Sequence, residues 1–172
     1  LTADWPDVAL VPILSDARGI ALVVKKWSRK GRLPDAIVIE HPRYAGGHLG
    51  AAKIEDLADP RFDFERVLPE AQAFFKAEGI ADGQIPLIPA GGINTHERVR
   101  ELFALGASAV QIGTAFAVTE EGDADIAFKR VLAEAIKEML KFARENKVPI
   151  GFKDLGAGGI ACAFSEMPEA GG

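Results

Sequence analysis

Two glycine-containing turns, about twenty residues apart, have the residue types that could bind a phosphate. Gly91 and Gly92 follow the apolar run 85–90, and Gly113 and Thr114 follow a second apolar run. Because glycine has no Cβ, successive backbone N–H groups in such turns can close on an anion. Either turn alone is more often only a tight connection between a strand and a helix. Two such turns on consecutive units favour a phosphate-binding site.

A histidine lies in a third glycine-rich segment, residues 46–50, as Gly-Gly-His-Leu-Gly. Flanking glycines let His48 approach a planar ligand closely, and histidine changes its charge near neutral pH. His48 is therefore a candidate general base, with an exposed histidine that has no function as the alternative. No function is expected for His41, which precedes a proline, or for His96 in the polar first turn of a predicted helix.

The spacing of apolar residues predicts alternating strands and helices that would position these segments. Strands are expected at 8–14, 35–40, 85–90, 109–113 and 148–152, and helices between Asp16 and Gly31 and at 65–78, 95–105, 125–146 and 160–167. Five consecutive β/α units predict an α/β fold with a parallel sheet. Parallel strands present their carboxyl ends at one edge, so the three glycine-rich segments should meet there.

Composition is that of one α/β domain of 172 residues, 48% of them hydrophobic. The net charge of −5 and the dispersed basic residues argue against binding to nucleic acid or to an anionic membrane surface. No apolar run approaches the roughly 20 residues that span a bilayer. A single cysteine, Cys162, excludes an internal disulfide and fits a cytoplasmic location. The acidic turn 119–125 is interpreted as a solvated loop, so no metal site is expected.

Four ordered motifs carry a resemblance to a known family: VALVPILS at 8–15, AGGHLG at 45–50, IPAGGI at 88–93 and AVQIGTAFAVTEE at 109–121. Residues 1 to about 134 resemble the C-terminal half of the nitronate monooxygenases, also called 2-nitropropane dioxygenases, which are FMN-dependent TIM barrels. The resemblance implies a small-molecule substrate, a nitronate or nitroalkane, with His48 as the catalytic base. It implies FMN contacts at Gly50, Gly91, Gly92, Gln111, Ile112, Gly113 and Thr114.

The C-terminal residues carry a second resemblance. The segments FKDLGAGGIAC at 152–162 and SEM at 165–167 resemble phosphoribosylformylglycinamidine synthase. The hypothesis is a single domain over 1–172 in which a half-barrel, 1–134, is joined to an appended β/α unit, 135–172, in an engineered or recombined chimera. The magnesium chemistry of the synthase is not expected here.

Two architectures follow from that hypothesis. The five units close into an open, flavodoxin-like sheet, or two copies pair as a homodimer that completes a barrel. Phosphate binding needs only the glycine turns, whereas the family's N-terminal strands, which contact the flavin ring, are absent from this sequence. We therefore expect FMN binding with impaired nitronate oxidation. The alternatives are a chimeric scaffold without catalysis and a flavin enzyme with another substrate, as in the related enoyl reductases.

Overall fold

A computed structural model of the chain describes residues 7–45, 50–51, 53–117, 119–123 and 125–146. Its sheet contains β1 (Ile13–Leu14), β2 (Ile37–Glu40) and β3 (Leu87–Ala90), in that spatial order and all parallel. The helices are α1 (Ala17–Ser28), α2 (Phe64–Ala77), α3 (His96–Ala104), α4 (Thr114–Ala117) and α5 (Ile126–Asn146). Two short 3-10 helices, Ile54–Ala58 and Pro60–Phe62, precede α2. The predicted α/β class with a parallel sheet is confirmed.

The register aligns the carboxyl ends of the three strands. Leu14 is opposite Ile39, Ile39 is opposite Pro89, and Glu40 is opposite Ala90. A crossover helix follows each strand, which is how parallel neighbours are connected. The residues after Leu14, Glu40 and Ala90 therefore leave the sheet at one common edge.

The core lies between the sheet and the first two long helices. Ile37 and Ile39 of β2 and Leu87 of β3 belong to one buried cluster with residues of α1 and α2. The helical members of that cluster are Ile20, Val24, Phe64, Val67, Leu68, Ala71, Phe75 and, from α3, Leu102. These residues recur at helical spacing, because an amphipathic helix buries the stripe that faces the sheet.

Two helices begin with a side-chain cap. The Asp16 carboxylate accepts a hydrogen bond from the Gly19 N–H at 2.6 Å at the start of α1. The Thr95 hydroxyl accepts one from the Arg98 N–H at 3.1 Å at the start of α3. Each cap satisfies a backbone donor that the first helical turn leaves unpaired.

The predicted strand 109–113 is wrong for most of its length. Only Gln111 bridges to Ala90 in parallel, and α4 begins at Thr114. The Ser108 N–H donates to the Leu87 carbonyl and the Gln111 N–H to the Pro89 carbonyl, both at 2.9 Å. With so few hydrogen bonds to β3, the run 109–113 forms a single bridge and not a regular strand. The predicted strand 148–152 and helix 160–167 lie outside the described residues.

The acidic turn after α4 is organised by a lysine of α5. The Lys129 ammonium donates to the carbonyls of Thr119, Glu120 and Gly122 at 2.5, 3.2 and 2.6 Å. Lys129 is only 7% exposed, so these bonds replace its hydration. Within the described ranges no group of acidic, histidine or cysteine residues has the arrangement of a metal site.

Helix α5 continues through residue 134 without interruption, in agreement with the helix predicted at 125–146. Among the described residues, no helix combines the length and the apolar character that a bilayer crossing requires.

Candidate functional site

The carboxyl edge of the sheet brings the two predicted phosphate-binding turns together. The bridge between Ala90 and Gln111 puts the chain at Gly91 beside the chain at Ile112. Ile112 packs partly against the core, whereas Gln111 and Gly113 are exposed. The predicted residues at 91–92 and 111–113 are therefore neighbours in space.

Gly91 and Gly92 both have the left-handed backbone that favours glycine, with φ of +99° and +71°. A Cβ at Gly91 would lie 2.9 Å from the Ala45 nitrogen, and one at Gly92 would lie 3.2 Å from the Tyr44 ring. These glycines are thus required by the backbone and by the adjacent turn at 41–45. That requirement exists whether or not a ligand binds.

Gly113 has a different environment. A Cβ added there would meet no atom within 4 Å, and its φ is outside the left-handed region. Its carbonyl accepts hydrogen bonds from the Phe116 and Ala117 N–H groups at 3.0 and 3.1 Å, which fixes the start of α4 at Thr114. Within the described chain, neither packing nor backbone conformation explains a glycine at 113.

Gly50 packs on the end of the first strand. A Cβ at Gly50 would lie 2.0 Å from the Ser15 Oγ and 3.3 Å from the Pro42 Cβ. Ser15 is only 6% exposed, and its hydroxyl has no hydrogen-bond partner among the described residues. Close packing against Ser15 therefore accounts for glycine at position 50. The predicted flavin contact at this residue stays a prediction.

The predicted base, His48, lies outside the described residues, as do Gly46, Gly47 and Leu49. The described chain reaches this segment from Ala45, beside Gly91, and continues from it at Gly50, beside Ser15. Both flanks of the segment are therefore at the carboxyl edge of the sheet.

His41 is buried and makes several contacts that the sequence did not predict. Its side chain is 7% exposed, and its ring contacts those of Tyr44 and Phe64 at centroid distances of 4.7 and 5.7 Å. Its Nε2 is 3.6 Å from Asp63 Oδ1, and its Nδ1 accepts a hydrogen bond from the Arg43 N–H at 3.2 Å. The sequence predicted no function for His41, and its contacts give it a structural role. Its position directly after a buried strand was the only sequence signal.

A charged cluster borders His41 on the α2 and α3 side. Arg98 forms ion pairs with Glu65 at 2.5 Å and Glu101 at 3.0 Å, and its guanidinium lies 5.8 Å from the Phe64 ring centroid. The hydrogen bond from Arg98 lowers the pKa of Glu65. Burial lowers the pKa of His41, and hydrogen bonding to Asp63 opposes that shift. His41 is therefore held neutral more strongly than a solvated histidine.

Comparison with known proteins identifies the family. The sequence profile of the family described as nitronate monooxygenase matches residues 3–149. The chain belongs to the nitronate monooxygenase family. The matched range includes every described residue and all the predicted site residues. It also includes all of α5, with the part beyond residue 134.

Individual relatives agree with that membership. The nitronate monooxygenase of Pseudomonas aeruginosa is 36% identical over 100 residues, which cover 57% of this chain and 25% of that protein. The crystal structure of a nitroalkane oxidase from Streptomyces ansochromogenes is 26% identical, with a TM-score of 0.50, over 73% of this chain and 32% of the other. This member of the nitronate monooxygenase family thus spans about a quarter to a third of these relatives.

A further match concerns a different protein. Phosphoribosylformylglycinamidine synthase subunit PurL of Methanothrix thermoacetophila is 54% identical over 44 residues, which cover 26% of this chain and 6% of that protein. The second resemblance predicted from the sequence is therefore also found by comparison.

Proposed function

We propose that this chain provides the FMN phosphate-binding edge and the base-bearing segment of a nitronate monooxygenase. The observation that carries the proposal is the open glycine at 113 beside the left-handed Gly91 and Gly92. A side chain at 113 would occupy the space next to these turns, which otherwise contains no atom of the described chain within 4 Å. The residues present fit a phosphate at the carboxyl edge of a parallel sheet, where barrel enzymes commonly bind one.

The residues proposed to hold FMN are those that converge there. Backbone N–H groups of Gly92, Gly113 and Thr114 would donate to the phosphate, because glycine allows an anion to approach the backbone. The exposed Gln111 would contribute a side-chain amide. The bound flavin would accept the electrons taken from the substrate.

His48 is proposed to hold the proton in the reaction. A neutral imidazole would take the proton from the carbon that bears the nitro group, and would return it to solvent after product release. The described chain reaches the segment that carries His48 from Ala45, which packs on Gly91, and continues from it at Gly50, so both flanks of the segment lie at the edge of the proposed phosphate site. Nitronates and nitroalkanes are accordingly the proposed substrates.

The first test is an FMN titration of the purified chain followed by visible absorbance. Saturable binding with shifted flavin bands supports the proposal, and unchanged bands at high micromolar FMN would refute it. His48→Ala should then leave the FMN affinity within about twofold while nitronate oxidation is lost. If FMN affinity falls as well, His48 has a structural role and the assignment of the base is wrong.

A second candidate is a scaffold that binds FMN or phosphate without turnover. The similarity to the PurL subunit favours it, because one chain would then combine parts of two enzymes. We propose the junction near residue 134, within α5, with 135–172 as the appended unit. FMN binding without oxidation of any nitronate, in a preparation whose His48 is intact, would select this candidate over the enzyme.

A further inference from the structure

His41 connects the second strand to the turn that precedes the His48 segment. Its backbone N–H donates to the Ala90 carbonyl at 3.0 Å, which extends the ladder between β2 and β3. Its carbonyl accepts hydrogen bonds from the Tyr44 and Ala45 N–H groups at 3.0 and 2.9 Å. One residue thus joins the sheet edge to the turn 41–45.

Both ring nitrogens of the His41 side chain face polar groups of the surrounding chain. Nδ1 accepts a hydrogen bond from the Arg43 N–H at 3.2 Å, so the ring proton lies on Nε2, which faces Asp63 at 3.6 Å. Tyr44 and Phe64 cover the ring. Because Nδ1 accepts the bond from Arg43, Nε2 faces Asp63 and the ring is buried, the contacts of His41 within the described chain are those of a structural residue.

The turn that His41 holds forms the wall of the proposed phosphate site. Ala45 and Tyr44 approach Gly91 so closely that a Cβ there would meet them at 2.9 to 3.0 Å. The Tyr44 ring lies similarly close to Gly92. A shift of the turn 41–45 would therefore also displace Gly91, Gly92 and the residue from which the chain enters the His48 segment, Ala45.

We propose that His41 is a positioning residue of this site, which through the hydrogen bond that its Nδ1 accepts from the Arg43 N–H fixes the turn 41–45 against Gly91 and Gly92. The inference rests on the proposed function for its consequence, since the edge so fixed is the FMN edge. The positioning itself depends on the contacts of His41 with Arg43, Tyr44 and Ala45. His41 acts through Tyr44 and Ala45 and touches neither cofactor nor substrate.

The single tyrosine of the chain allows a direct test. Tyr44 lies in the turn, contacts His41 at 4.7 Å and Gly92, and is 53% exposed. Incorporation of fluorotyrosine therefore gives one ¹⁹F resonance that reports on the position of the turn. Its chemical shift is measured in the full chain with and without FMN.

Two polar replacements separate the roles of the two nitrogens. In His41→Asn the amide oxygen can accept the Arg43 N–H, as asparagine does in Asx turns, whereas in His41→Gln the longer side chain reaches toward Asp63 and loses that bond. We expect the fluorine shift of the Asn variant to stay near that of the wild type and that of the Gln variant to move toward free fluorotyrosine. His96→Gln, at an exposed histidine, is the matched control and should change nothing.

FMN affinity should follow the same order. We expect about a tenfold loss for His41→Gln, the equivalent of one polar contact, and less than about threefold for His41→Asn. Equal shifts and equal affinities for the two variants, or a Gln variant indistinguishable from wild type, would overturn the proposal.

The two proposals fail in different ways. If the wild type binds no FMN, the proposed function is wrong, but the fluorine shifts of the Asn and Gln variants still decide whether His41 positions the turn. If FMN binds and moves the Tyr44 resonance while the His41 variants leave it unchanged, the function stands and the role of His41 is refuted.

Discussion

The two glycine turns at the carboxyl edge of the sheet need glycine for different reasons. Gly91 and Gly92 have positive φ and lie against Tyr44 and Ala45, so the fold itself requires them. Gly113 has neither a left-handed backbone nor a neighbour within 4 Å of an added Cβ. A glycine that folding requires says little about a ligand. A glycine next to open space at a binding edge says much more.

Gly91→Ala should have the largest effect, on stability. A left-handed backbone costs a non-glycine residue about 1–2 kcal/mol, and the contact with the Ala45 nitrogen at 2.9 Å adds to that cost. We expect a total loss of about 3 kcal/mol in the free energy of unfolding, measured by urea denaturation.

Gly83→Ala is the matched control for Gly91→Ala. Gly83 also has a positive φ, +72°, but an added Cβ would meet nothing within 4 Å. Its loss should be about 1 kcal/mol, from the backbone term alone. Equal losses at the two positions would show that the turn 41–45 does not press on Gly91.

Gly113→Leu should lower the FMN affinity and leave the stability nearly unchanged, in contrast to Gly91→Ala. The side chain enters open space, so the free energy of unfolding should stay within about 0.5 kcal/mol of the wild type. FMN affinity should fall by at least about tenfold, about 1.4 kcal/mol, because the leucine occupies the phosphate site. A flavin titration measures the affinity, and Ala104→Leu on the exposed side of α3 controls for surface hydrophobicity. Unchanged affinity in Gly113→Leu would remove this glycine from the cofactor site.

Gly92→Ala tests a glycine that is intermediate between Gly91 and Gly113. Its φ of +71° requires glycine, but its nearest neighbours are the Cβ and ring atoms of Tyr44 at 3.2 to 3.3 Å, farther than the 2.9 Å from a Cβ at Gly91 to the Ala45 nitrogen. We expect a stability loss of about 1 kcal/mol, close to that of Gly83→Ala and smaller than that of Gly91→Ala. A loss as large as that of Gly91→Ala would mean that the Tyr44 ring is fixed in place.

Low pH should destabilise the turn at Gly91 and Gly92 and leave the turn at Gly113 unaffected. Burial lowers the pKa of His41, although Asp63 and Glu65 oppose the shift. The unfolded chain therefore binds the proton more tightly, and the stability from neutral His41 is present above about pH 6.5 and decreases as the pH falls toward the folded-state pKa. Because protonation of Nδ1 also breaks the bond from Arg43, the Tyr44 resonance should shift over the same range. In His41→Asn this part of the pH dependence of urea denaturation should disappear.

Local rules predicted the sheet and helices, and tertiary contacts decided the rest. The caps Asp16 and Thr95 are local features of the sequence, because each capping bond spans three residues. His41 and Asp63 are 22 positions apart, and no local pattern predicts that they meet. The close packing of Gly50 on Ser15 likewise needs the fold. The strand 109–113 was mispredicted because an apolar run shows the tendency to pair but not how many neighbours are available.

The Lys129 ammonium gives the turn 119–123 a cation that is covalently attached to the chain. Three backbone carbonyls surround it, as carbonyls surround a potassium ion in a coordination loop. An ion supplied in this way cannot dissociate, so neither chelators nor a change of the monovalent salt should alter the turn. We therefore expect the turn 119–123 to keep its shape in buffers that would remove the ion from an ordinary ion-binding loop.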